Sequence, residues 1–94
     1  MEFNQYNTTV QQWIHTVLEN RETNADVVLE CCRDIIAYGR ETDDPKLIGF
    51  GCFYGGEIYY GLNDGEHFFH MMTEALTYLD RAEEWELVVR CYNY

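Results

Sequence analysis

One stretch of the chain carries three residues that could hold a metal. His67, His70 and Glu74 fall at i, i+3 and i+7, so a helix there puts all three on one face. Imidazole and carboxylate at that spacing suit zinc or another transition metal, and Cys31 or Cys32 would add a thiolate from a neighbouring helix. No H-E-x-x-H or C-x-x-C pattern accompanies them. The simpler reading is two histidines flanking a core face, with Glu74 in solvent. Gly49, Gly51 and Gly55 spell G-x-G-x-x-x-G. A phosphate loop of that kind needs a strand before it and a helix N-terminus after it. Here the glycines lie inside a helical pattern. An interior glycine costs about 1 kcal/mol against alanine, so five of them, with Gly56 and Gly61, imply a second helix at close range. Three histidines and four cysteines are present, but no motif joins them to an orienting third group. The segment is therefore expected to be non-enzymatic and to carry no cofactor.

The elements that must position these groups read as helices. Thr8 or Thr9 is the expected cap of a first helix reaching Asn20, with Val10, Trp13, Ile14, Val17 and Leu18 as its apolar stripe. Asn24 caps a second helix, which turns Val27, Val28, Cys31, Cys32, Ile35 and Ile36 inward and stops near Gly39. Pro45 suits the first turn of a third helix, which runs to about Leu62. Asn63-Asp64-Gly65 is the sharpest turn signal, and Asp64 caps a fourth helix with Phe68, Phe69, Met71, Met72, Ala75, Leu76 and Leu79 on its broad apolar face. A fifth helix starts near Glu84 and meets no stop signal before Tyr94.

Ninety-four residues make one domain, 1–94. The net charge is −11 with only six Lys and Arg, none clustered, which argues against nucleic acid and anionic membrane as partners. The most apolar run, Leu47–Leu62, is too short to span a bilayer. Adjacent Cys31 and Cys32 point about 100° apart on a helix and cannot easily pair. Four buried, reduced thiols and no signal peptide fit a cytoplasmic protein.

A shift of 40 residues lays Tyr38 on Tyr78, Leu47 on Leu87, Ile48 on Val88, Tyr54 on Tyr94 and Asp43–Asp44 on Glu83–Glu84. Such spacing marks stacked helix pairs that cannot bury their faces alone. From Gly55 to Leu79 the chain resembles a tetratricopeptide repeat. Gly56 stands at the small position, Tyr59 at the aromatic one, Asn63 at the turn and Ala75 at the second small position. Phe68 departs from the pattern where a small residue is usual, and Asp80 where proline is usual. The resemblance implies an all-α fold, about five helices in antiparallel pairs stacked with a right-handed twist. It also implies a groove lined by the first helix of each pair. Phe53, Glu57 and Tyr60 would face that groove, joined by Trp13 and by Glu19, to take a protein, a peptide or a small cationic ligand. Acidic, tyrosine-rich repeats of this kind are similar to the N-terminal regions of bacterial signalling proteins, diguanylate cyclases among them. The expectation is a non-catalytic interaction or sensory module ahead of such a domain, within a longer chain. Its 84–94 end would be covered by self-association. The alternatives are a metal-responsive domain using His67, His70 and Glu74, and a structural scaffold.

Overall fold

The computed structural model describes residues Met1–Tyr94. It is all-α, with five helices and no strand. Four of the five begin where a short polar side chain accepts the first free amides. Asn7 receives the Val10 amide and opens α1 (Thr8–Asn20), and Asn24 receives that of Val27 and opens α2 (Ala25–Glu41). Asp44 receives the Leu47 amide ahead of α3 (Pro45–Gly61), and Asp64 that of His67 ahead of α4 (Gly65–Arg81). Each such cap is worth about 1 kcal/mol. The first cap is Asn7 rather than Thr8 or Thr9, which are already helical. Glu84 precedes α5 (Trp85–Tyr92) without a side-chain cap bond, and this helix ends two residues before the expected Tyr94.

The three turns after α2, α3 and α4 use one device. The amides of Asp44, Asp64 and Glu84 reach back five residues to the carbonyls of Gly39, Tyr59 and Leu79, at 2.8, 2.9 and 3.0 Å. The residue before each lies in the left-handed region: Asp43 at φ 52°, Asn63 at 59° and Glu83 at 57°. This is a Schellman closure made without glycine. The positions are twenty residues apart, so the 40-residue spacing corresponds to two 17-residue helices and two three-residue turns. Gly39, expected as a helix stop, lies within α2 instead. Its role is approach: a Cβ there would meet Ile48 Cγ1 at 2.9 Å.

Consecutive helices run antiparallel. Along α3, Gly49 meets Leu79, Gly56 meets Met72 and Tyr59 meets His67, so partners recede along α4 as the chain advances. Against α2, Gly51 meets Ile36 and Gly55 meets Cys32, again in reverse order. The close approach expected from the glycine run is present: Cβ atoms at Gly49, Gly51 and Gly55 would sit 2.7 Å from Leu79 or 2.6 Å from Ile36 and Met71. α3 is thus the central helix, packed mainly on α4 and α2, with eleven of its 17 residues buried. It is apolar on all sides, as a helix enclosed by neighbours must be. Val17, Val28, Ile35, Leu47, Phe50, Phe53, Ala75 and Leu79 form the middle of one continuous core. No helix is long and apolar enough to cross a membrane.

Candidate functional site

Glu57 projects from α3 with little exposed surface, and its two oxygens are already taken. Arg21 Nη2, in the turn after α1, lies 3.0 Å from Oε1, and Arg90 Nη2, on α5, lies 3.2 Å from Oε2. The Tyr94 hydroxyl donates to Oε2 at 2.6 Å. The arginines also cover aromatic faces: Arg21 lies 5.1 Å from the Tyr54 ring centre and Arg90 4.8 Å from that of Phe53. Burial raises the Tyr94 hydroxyl's pKa, and its bond to the Glu57 carboxylate raises it further. Burial works to lower the Arg90 pKa, but the Tyr54 hydroxyl and Glu57 charge outweigh it and leave it raised. The cations that this carboxylate and these rings meet are guanidinium groups. The cations belong to the same chain.

That arrangement corrects the expected groove. Phe53 is fully buried, with Tyr54 edge-on at 5.0 Å and Arg90 over its face, so it cannot meet a ligand. Trp13 turns toward α2 and packs edge-on against Tyr38 at 6.3 Å, away from Glu57. Glu19 is exposed and within 4.0 Å of His15 on its own helix. The cleft that does run along α1, α3 and α5 is lined by Leu18, Phe50, Tyr54 and Leu87, with Met1 and Phe3 of the N-terminal segment also in it. Phe3 stands edge-on to Phe50 at 5.2 Å.

Tyr60 is 57% exposed. Its ring lies 5.2 Å from Phe68 and 5.0 Å from Tyr94, and the three rings make an aromatic corner where α3 ends, α4 begins and the chain terminates. α5 turns Leu87 and Val88 inward and leaves Trp85, Val89 and Tyr92 at 54%, 58% and 73% exposure. These three fall at i, i+4 and i+7 and form an unpartnered apolar stripe. Phe69, expected on the buried face of α4, is 71% exposed, because the broad apolar run of that helix is wider than the face α3 covers.

The three candidate metal ligands do not converge. His67 Nδ1 lies 2.7 Å from Asp64 Oδ2, and its ring stacks on Tyr59 at 4.7 Å. Its backbone amide, bonded to Asp64, holds that carboxyl below its ordinary value. Glu74, two turns further along α4, is engaged elsewhere: it lies 3.2 Å from Arg40 Nη2 and accepts from the Cys52 thiol at 3.8 Å. No group of three His, Cys, Asp or Glu side chains comes together in a metal-binding arrangement. The thiols are free but not all buried as expected: Cys32 and Cys52 are buried, Cys31 and Cys91 half-buried. Burial pushes Cys32 and Cys52 up to about 12, which keeps them protonated and poor nucleophiles at neutral pH.

On the opposite side of α3 from Glu57, α2 and α4 stand apart over a cavity of about 330 Å³. Leu29, Ile36, Tyr59 and Met71 supply apolar walls, with Arg33 and Arg40 among the lining residues. Nothing in the sequence motifs marked it, because its walls come from three helices. The one available signal was the pair Gly51 and Gly55, which let Ile36 and Met71 settle on the α3 backbone. No protein-family model, curated protein or solved structure matches this chain.

Proposed function

We propose that this chain is a non-catalytic interaction module of stacked, tetratricopeptide-like helix pairs, acting through its α5 end. The observation that carries the reading is the exposed stripe Trp85, Val89 and Tyr92 on α5. Large contiguous apolar surfaces on small domains mark association sites. Aromatic side chains dominate the energetics of such interfaces. In a helical stack, the outer face of one helix is the seat of the next. A second copy of the chain, or a further helix of a protein partner, would occupy it. Glu83, Glu84 and Glu86 lie beside the stripe in a chain of charge −11, so self-association should strengthen with salt as like-charge repulsion is screened.

Sedimentation of the wild type against a Trp85→Lys, Tyr92→Lys variant tests this. The wild type should dimerise with rising concentration and salt, and the variant should stay monomeric with unchanged helicity. A wild type that remains monomeric at millimolar concentration removes self-association.

The resemblance to regulatory regions of diguanylate cyclases extends the proposal: binding at the α5 face would bias the geometry, and so the output, of a signalling domain downstream. The gene's reading frame past codon 94 tests that extension. Continuation into a catalytic domain supports it, and a stop codon there leaves the interaction role alone. Glu57 is not offered as a site for a cationic ligand, since Arg21 and Arg90 already hold it.

A further inference from the structure

We propose that the cavity between α2 and α4 binds a small organic carboxylate with an apolar tail, the carboxylate on Arg33 and Arg40 and the tail against Leu29, Ile36 and Met71. Charge accounting singles out the place. Of the six basic side chains, Arg21, Arg40, Lys46 and Arg90 each contact a carboxylate, and Arg81 lies over the Tyr78 ring. Arg33 has neither kind of partner, in a chain with seventeen acidic residues. It stands at the edge of the cavity whose lining is mostly apolar. Arg40, the second guanidinium there, is held by Glu74 in an exposed pair, and such pairs contribute little and exchange readily. Arg40 can therefore turn to a ligand at small cost.

The remaining walls suit a tail rather than a second charge. Tyr59 and His67, stacked at 4.7 Å, close one end, and Ile36 and Met71 lie close over Gly51 and Gly55. A volume of about 330 Å³ is at the small end of ligand sites and holds about a dozen heavy atoms. Two guanidiniums disfavour a cation. A bare phosphate would leave the apolar walls unused. Charges more than about 8 Å away are largely screened at physiological ionic strength, so the local groups, Arg33, Arg40 and the Glu74 paired with it, rather than the net charge, set the sign of the site.

The probes are decanoate and its neutral analogue 1-decanol, titrated into the ¹⁵N-labelled 94-residue chain and followed by NMR. Decanoate should give saturable shifts at Leu29, Ile36 and Met71 and bind at least tenfold more tightly than decanol. Arg33→Glu should erase that preference. Ala37→Trp, at an exposed position on the cavity's edge, should block both probes. Both substitutions are at exposed positions on the cavity's rim, and circular dichroism checks that helicity is kept. Absence of saturable shifts at these residues, equal affinity for the two probes, or decanoate binding undiminished in Ala37→Trp would each overturn the proposal.

Discussion

On one side of α3, Glu57 is gripped by Arg21, Arg90 and Tyr94 of the same chain. On the other, Arg33 stands beside an apolar cavity with no carboxylate to hold. Both sides combine guanidinium and aromatic groups with apolar walls. The difference is whether the chain supplies both halves of the interaction. Where it does, the constellation ties α1, α3 and α5 together and has no vacancy for a ligand. Where it supplies one half, the site is open to something else. A cluster of suitable residue types is therefore weak evidence of binding until its internal partners are counted.

Alkali should produce the largest effect, and most of it on the cavity side. The buried thiols on the cavity side, Cys32 and Cys52, have ordinary values of 9.0 and are pushed by burial to about 12. Between those values the unfolded chain has lost protons that the folded chain keeps. Stability is therefore full below pH 9 and falls as pH rises, by on the order of 4 kcal/mol per thiol across the window. Tyr94 on the Glu57 side is also raised, and its contribution begins to fall only above its ordinary 10.0. Urea midpoints measured from pH 8 upward should drop from pH 9. A Cys32→Ala, Cys52→Ala variant should fall far less steeply above pH 9, keeping only the smaller loss from the half-buried Cys31 and Cys91, which burial also raises. A flat wild-type curve to pH 10 would mean that the cavity side is loosely closed.

Next in size is the glycine contact. Gly49→Val should cost about 3 kcal/mol, because its Cβ alone would meet Leu79 Cγ at 2.7 Å and the Leu79 amide nitrogen at 3.1 Å. Gly61→Ala, with open space around it and no positive φ, should instead gain about 0.5 kcal/mol. Thermal unfolding of the pair reads the contrast, and equal effects would dismiss close packing as the reason for the glycine run.

Glu57→Gln should cost about 2 kcal/mol, since charge-assisted bonds from two arginines are weakened together. A double-mutant cycle with Arg21→Gln should show coupling between the sites. Arg40→Ala, which breaks the exposed pair with Glu74, should cost under about 1 kcal/mol. If chemical denaturation ranks these two the other way, the cavity side is the supported one and the contrast collapses.

Much of the secondary structure was legible. Asn24, Pro45 and Asp64 mark helix starts where they were expected, because caps act within three or four residues of chain. The stop at Gly39 misled, because glycine also serves close packing, while Asp43, Asn63 and Glu83 took the left-handed positions. Phe53 was placed in a groove by the resemblance, and the core encloses it; Phe69 was placed on a buried face by periodicity, and it is exposed. Periodicity shows that a helix has an apolar face, but not how much of that face a neighbour will cover.

By itself the sequence determined an all-α chain of five helices and the segments that form them, since propensity, capping and 3.6-residue periodicity are local. Tertiary structure alone decided that Glu57 meets Arg21 and Arg90, 36 and 33 residues away, and that His67 and Glu74 turn to different partners. It also decided that a cavity opens between α2 and α4. Such pairings depend on the register and separation of packed helices, which no single helix encodes.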